Sequence, residues 1–548
     1  MPCFSALGAL FLPPLSWRRD SILSFFLNVA PMQTRPFREH ILDLPEHWES
    51  RVAFASTARD LTFAELRQAV LGCAGWLMNG AGIAVEQRVA VCVPKTLEAA
   101  ILIHALFAVG AVYVPLEYQS PADRLAVMLD VARPHLLITT AAMARQLRNH
   151  SIGEFPPVET YEAKPDGSGL EVLIGATPPA KDLPPAQPEA LAAIVFTSGS
   201  TGEPKGVMLS QRICDDTWDW VMRRAAVTET DRRVSHAKLR FLPTDLFFSI
   251  LTGCRAYLLT DREALFPEFI IQTCERERIT LWNSTPTSLR LLIEAIGTRQ
   301  ADFNSLRHAS FYGEMLPVPV VRKAMALMPN TEFANSYGAT EASGMTIYRV
   351  PRPIPEELLS FPVGHPARGF TVSICDESGN ALPAGEVGEI AAVGPSVMMG
   401  YWNDPELTAR KRLPGNPNSY RTGDLGYLDE AGMLHLVGRR DQMVKLRGQR
   451  LDLGEVEAAL KSHPAVREAV AFAVDVGAEK EIRAAVLTDA NDKVASELRV
   501  LCQRRLPTYG RPARIDHFED FPLLATGKID RKKIQAMAMA AGEEGAVV

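Results

Sequence analysis

The chain is 548 residues long, 47% hydrophobic and 22% charged, and its 58 Lys plus Arg against 64 Asp plus Glu leave a net charge of −6. That balance excludes a disordered chain, a collagen-like repeat and a small disulfide scaffold, and it lacks the basic excess of a dedicated nucleic-acid binder. Eight cysteines with no C-x-x-C pair and no zinc spacing read as buried, reduced thiols of a cytoplasmic protein.

Taken in chain order, the apolar stretch Cys3 to Leu15 has no positive charge before it, and Arg18 and Arg19 follow it, the wrong order for a secretory signal. Met32 opens a more ordinary start, so residues 1–35 are expected to be an extension, either disordered or mis-assigned. No apolar run reaches the length of about 18 that a membrane span requires. From Pro36 to Arg440 short apolar runs alternate with helical periods. Arg88 to Val93, His135 to Ile138 and Leu191 to Phe196 read as buried strands, and Thr96 to Val109 as a helix. This pattern predicts layered α/β structure over 36–440. The proline-rich stretch 163–190 is expected to be a seam without packed elements. A second change falls at Gly438-Arg439-Arg440-Asp441. Beyond it, 441–548 predicts a small α+β domain, with a turn at Arg447-Gly448, a helix from Gly454 to Lys461, a strand from Ala469 to Val474 and a helix from Ala495 to Leu506. Ala536 to Val548 reads as a frayed tail.

The most informative stretch is Ile194 to Val207, in which an apolar strand runs into Thr197-Ser198-Gly199-Ser200-Thr201-Gly202-Glu203-Pro204-Lys205-Gly206. Glycines let backbone approach an anion, successive N–H groups form an anion nest, the hydroxyls add donors and Lys205 adds charge. The spacing is not that of a Walker loop.

This run resembles the signature of the adenylate-forming superfamily, which includes acyl-CoA synthetases, peptide-synthetase adenylation domains and luciferases. Further motifs follow in the family's order: Leu61 to Leu66, Val109 to Leu116, Asn335-Ser336-Tyr337-Gly338-Ala339-Thr340-Glu341, Gly388 to Trp402, Tyr420 to Asp424, Gly438 to Arg450, and Pro522 to Arg531. The resemblance implies a large adenylate-forming domain over 36–440 and a small mobile lid over 441–548. It implies a two-step reaction. A carboxylate attacks the α-phosphorus of ATP to give an acyl-adenylate and pyrophosphate, and a thiol then takes the acyl group. Thr197 to Gly202 and Lys205 would hold the phosphates, and Tyr337, between Ser336 and Gly338, would stack on adenine. Thr340 would touch the α-phosphate, and Glu341 would hold Mg2+. Glu341 also reads as a carboxylate at a helix N-terminus, complementing the dipole. Asp424 would bind ribose, with Arg439 near the same sugar and Lys445 beside the nucleotide. Lys528 would bridge carboxylate and α-phosphate. Asp441 would be the hinge, and Gly448 would line the path of the thiol arm.

Where amino-acid-activating relatives place an aspartate for the substrate ammonium, this chain has Arg240. Either the acid lacks an α-amine or carries a negative or polar group that Arg240 binds, or Arg240 turns to another wall. Asp245 lies five residues on and is expected to support structure. The same alignment places Phe241, Thr244 and Asn283 in the acid pocket, with Ser310, Tyr312 and Ser336. Gly344 and Met345 complete it, and together they favour a compact polar acid. Phe311 to Pro317 and Tyr348 to Pro351 resemble stand-alone ligases that load prolyl- or alanyl-type acids onto separate carrier proteins. Departures are Ala339 in place of the usual proline, and Gly510-Arg511 after Tyr509. No phosphopantetheine-serine motif follows Lys528, so the thiol is expected from a separate holo carrier protein, with coenzyme A as the alternative. Neither nucleic acid nor membrane is expected as a partner.

Overall fold

The structure is a computed structural model that describes residues 36–150, 153–162, 177–197, 204–240, 244–297, 301–440, 443–446, 448–476, 479–488, 492–522 and 529–544. The extension 1–35, the loop residues Ser198 to Gly202, and Phe241, Asp441 and Lys528 lie outside them.

Among the described residues, sheets of nine, seven, four, three and two strands form. In the seven-stranded sheet Arg88–Cys92 pairs in parallel with Val112–Pro115 and Leu136–Thr139, and Val112–Pro115 in parallel with Leu191–Thr197. These strands are buried almost throughout, as their continuous apolar runs require. In the nine-stranded sheet Leu281–Ser284, His308–Tyr312 and Glu332–Ala339 lie parallel and side by side.

Helices between the sheets carry the largest core. Helix Leu97–Val109 is apolar except for Glu98 and His104 and is buried accordingly. Thr96 caps its first turn and Gly110, at φ 78°, ends it. Against it pack Phe37, Trp218 and Phe247, with Trp218 and Phe247 stacked at 3.8 Å between centroids. Helix Phe63–Gly75 starts at a capping box between Thr62 and Glu65, two backbone donors satisfied reciprocally.

His104 lies inside this aromatic cluster, with Nδ1 2.6 Å from Ala100 O and Nε2 3.2 Å from Leu246 O. Burial pulls its pKa from 6.5 down to about 4. The unfolded chain therefore takes up the proton first, and stability falls as pH drops from 6.5 to about 4, by about 3 kcal/mol for this group. Urea denaturation across that window is expected to show the decline, and His104→Gln to shallow it.

The seam carries no helix or strand over 177–190. Beyond 441, Val466–Val476 pairs antiparallel with Glu479–Thr488, which pairs in parallel with Arg514–Phe518. Alternation along the first strand sends Ala469 and Ala471 to the face covered by helices Leu453–Lys461 and Asp492–Arg505, and Val470, Phe472 and Val474 to the other. The expectation of a frayed tail from Ala536 is corrected for residues 536–544, and residues 545–548 lie outside the described ones. Helix Arg531–Glu544 covers that second face, burying Ile534 and Ala538 on one stripe. The seven described cysteines are buried and free. No helix among the described residues is long and apolar enough to cross a membrane.

Candidate active site

One side of the cleft is built from strands Ser419–Leu428 and Leu434–Arg439, whose antiparallel register sets Asp424 opposite Arg439. The Arg439 guanidinium donates to Asp424 Oδ1, and the Tyr337 hydroxyl donates to Oδ2 at 2.5 Å. Lys445 Nζ stands 5.7 Å from the Tyr337 ring centroid. Burial lowers its pKa to about 8, against the pull of Asp424. The structure thus brings together Tyr337, Asp424, Arg439 and Lys445, four residues far apart in sequence.

Strands Leu191–Thr197 and Lys205–Ser210 run antiparallel with Thr197 opposite Lys205, so the hydroxyl-rich stretch joins the two strands of a hairpin. Lys205 opens the return strand half-buried. Burial lowers its pKa, while Asp452 and Glu341 oppose that. Glu341 sits with Thr340 in the turn between strands Glu332–Ala339 and Ala342–Arg349. No helix begins there, so its reading as a helix-dipole partner is corrected: a strand hairpin has no macrodipole to complement. Glu341 is 4% exposed. Its Oε1 accepts from the Tyr401 hydroxyl at 3.1 Å and its Oε2 from Arg450 Nη1 at 2.6 Å. Burial works to raise its pKa, and Arg450, a backbone hydrogen bond and the Tyr401 hydroxyl together outweigh burial and hold it low. A carboxylate kept charged in the cleft is the hard oxygen donor that suits magnesium.

Residues expected to line the acid pocket gather at the carboxyl ends of the parallel strands, the usual place for ligands in such sheets. Register pairs Asn283 with Ser310 and Tyr312 with Ser336. Gly344, at φ 68°, closes one side, and a Cβ there would stand 2.8 Å from the Trp220 ring. Met345 is fully buried in the core behind that glycine. Thr244 opens helix Thr244–Thr252. Arg240 is turned to another wall: its Nε lies 3.4 Å from Glu117 and its guanidinium lies over the ring of Tyr509. Asp245 lies in the field of both Lys95 and Arg233, a supporting position.

The hairpin Met443–Leu446 and Gln449–Asp452 seats itself in the same cleft. Gly448, at φ 76°, donates its N–H to Glu314 Oε1. Glu314 Oε2 in turn accepts from Thr287 N at 3.0 Å and Thr287 Oγ1 at 2.7 Å. Across from it, Gly313 approaches so closely that its Cβ would stand 3.3 Å from Gly448 Cα. Arg124 with Glu455, Arg290 with Glu479 and Arg504 with Asp123 pin the rest of the lid down.

Sequence reasoning missed Arg450, Glu314, Tyr401 and Arg224. Arg450 and Glu314 each stand close to a glycine already singled out. Arg224 carried no signal, because a cation in the last turn of a helix reads as a dipole partner.

Comparison with known proteins agrees with this geometry. Residues 43–402 match the family AMP-binding enzyme, and residues 455–528 match AMP-binding enzyme C-terminal domain. The chain belongs to the AMP-binding enzyme family. This AMP-binding enzyme is 30% identical over 454 residues to an L-proline–[L-prolyl-carrier protein] ligase of Pseudomonas fluorescens, covering 82% of this chain and 89% of that one. It is 32% identical over 499 residues to a ligase of the same description from Streptomyces coelicolor, covering 86% and 91%. Among solved structures it is similar to an amide bond synthetase from Marinactinospora thermotolerans, with a TM-score of 0.81, 28% identity, and 92% and 99% of the two chains covered.

Proposed function

We propose that this AMP-binding enzyme activates a small carboxylic or amino acid with ATP and passes it to the pantetheine thiol of a separate carrier protein in a biosynthetic pathway. The observation that carries the reading is the convergence in one cleft of the Tyr337–Asp424–Arg439 cluster, the strand-end pocket and the glycine-lined contact between Gly313 and Gly448.

The chain's own residues divide the work. Tyr337 offers adenine a flat wall, and Asp424 keeps lone pairs for ribose hydroxyls beyond its bonds to Tyr337 and Arg439. The hairpin from Thr197 to Lys205 cradles the β- and γ-phosphates, and Thr340 meets the α-phosphate. One carboxylate oxygen of the acid attacks the α-phosphorus, the bond to the bridging oxygen breaks, and pyrophosphate leaves. Lys528 holds the two anions together, which is chiefly a matter of positioning and charge stabilisation. Mg2+, held by Glu341, would neutralise phosphate charge. In the second half the thiol sulfur bonds to the acyl carbon and AMP departs. The lid rotates about Asp441 between the halves, and its glycine hairpin is the part presented for transfer. The contact of Arg450 with Glu341 supports reading the described orientation as that of the second half.

Asp424→Ala is expected to raise the KM for ATP by about 10- to 100-fold, since it removes charge-assisted bonds of about 1.5–3 kcal/mol. ATP titration of pyrophosphate exchange checks this. The thiol is tested by offering holo carrier and coenzyme A in parallel to the enzyme with ATP and acid. Faster loading of the carrier supports the reading. Coenzyme A acylated far more efficiently supports the acyl-CoA synthetase reading, which the shared chemistry also permits.

A further inference from the structure

The strand ends that form the acid pocket present neutral side chains, Asn283, Ser310, Tyr312 and Ser336. Charge reaches them from behind. Arg224, last residue of helix Gln211–Arg224, spreads its fork between two of them. Nη1 donates to Ser336 Oγ, and Nη2 donates to Ser310 Oγ at 2.5 Å. Its guanidinium lies 4.8 Å from the centroid of Trp220, the same indole that closes the space beside Gly344. Its Nε is buried without a hydrogen-bond partner among the described residues.

The surrounding charges do not balance it. Arg233 is 2% exposed and lies over the Phe248 ring at 4.0 Å, with Nε and Nη1 lacking partners among the described residues. Lys95, also 2% exposed, donates to Ser235 O at 2.8 Å and Ala237 O at 2.9 Å. Asp245 acts on both of these cations, and Asp261 acts on Lys95. Among the described residues no carboxylate pairs with Arg224, whose electrostatic neighbours include the Tyr312 phenol, the like charge of Arg233 and the His308 ring. Arg224 is half-buried with its Nε out of reach of water. A cation withdrawn from water is retained at a cost unless an anion answers it, while the fork of an arginine matches a carboxylate in two parallel bonds. Hydroxyls at Ser310 and Ser336 already sit at its tips and can turn as donors toward the same anion. Ser336 and Tyr337 are successive strand residues and point to opposite faces. Arg224 therefore addresses the pocket, away from the pair formed by Tyr337 and Asp424.

We propose that Arg224 is the specificity-determining residue of the acid pocket, and that the acid activated here carries a second carboxylate, which Arg224 receives together with Ser310 and Ser336. The inference rests on the adenylation reading above and names its substrate class. It moves the substrate-binding cation from Arg240, which faces Glu117, to a helix end.

The test is acid-dependent pyrophosphate exchange by the full chain. The panel holds short α,ω-dicarboxylates, aspartate and glutamate, each beside its ω-amide and its ω-methyl counterpart. The wild type is expected to prefer the dicarboxylate over the ω-methyl acid by on the order of 10²-fold in kcat/KM, as a site that leaves a buried polar group unpaired rejects the analogue. Arg224→Met is expected to collapse that ratio toward unity, and Arg224→Lys to keep part of it. Because the readout is a ratio within each variant, a partial loss of folded protein does not alter it. A wild-type preference for ω-methyl acids, or an Arg224→Met ratio equal to the wild type's, overturns the proposal and leaves adenylation intact. Exchange with no acid of the panel nor with any common monocarboxylate overturns the adenylation reading itself.

Discussion

Gly448→Leu is expected to cut transfer of the acyl group to a carrier thiol by at least about 100-fold while acid-dependent pyrophosphate exchange persists. The cause is local. Gly448 sits at φ 76°, where an L side chain costs roughly 1–2 kcal/mol. A Cβ there would fall inside contact distance of Thr285 Cγ2. The residue also faces Gly313 backbone to backbone and donates to Glu314, so there is no direction in which a side chain can turn. Tenfold in rate is about 1.4 kcal/mol, and strain together with a lost seat exceeds twice that. Stopped assays with preformed acyl-adenylate read the transfer step alone, and exchange reads the other. Equal loss in both would mean that the hairpin is merely structural.

Lys528→Ala is expected to give the opposite split. Exchange falls by on the order of 10²–10³-fold, the size seen when a positioned transition-state donor is removed. Transfer from preformed adenylate continues, because the sulfur attacks carbon and no longer needs two anions held together. Residues 455–528 match the family's C-terminal domain and end on this lysine. The two variants together separate the half-reactions. Exchange unaffected by Lys528→Ala would remove the lysine from the first step.

Much of this was legible in the sequence because it depends on local pattern. Strand Arg88–Cys92 and helix Leu97–Val109 are buried on all sides, and a continuous apolar run says so without knowledge of partners. Asp424 and Arg439 lie on adjacent strands in one motif region, so their meeting follows from a short hairpin. What escaped depends on distant chain. Arg224 meets Ser310 and Ser336 across 86 and 112 residues, and nothing near it in sequence hints at that pocket. Arg450 reaches Glu341 across 109 residues. Helix Arg531–Glu544 opens on Arg531, Lys532 and Lys533, and its stripe of Ile534 and Ala538 shows its purpose only beside Val470 and Phe472. Glu341 misled for a related reason. A Thr-Glu pair after a glycine suits a helix start as well as a tight strand turn, and the pairing of Ala339 with Ala342 decides for the turn.

The central claim is that the acid attacks the innermost phosphorus and the thiol then displaces AMP. A single turnover with ATP, holo carrier and a carboxylic acid labelled with heavy oxygen in its carboxylate tests this most directly, read by mass spectrometry of the nucleotide and the carrier. The account predicts AMP carrying one heavy oxygen, unlabelled pyrophosphate, and a carrier heavier by the acyl group. Label appearing in inorganic phosphate beside ADP, or AMP without label, would contradict it.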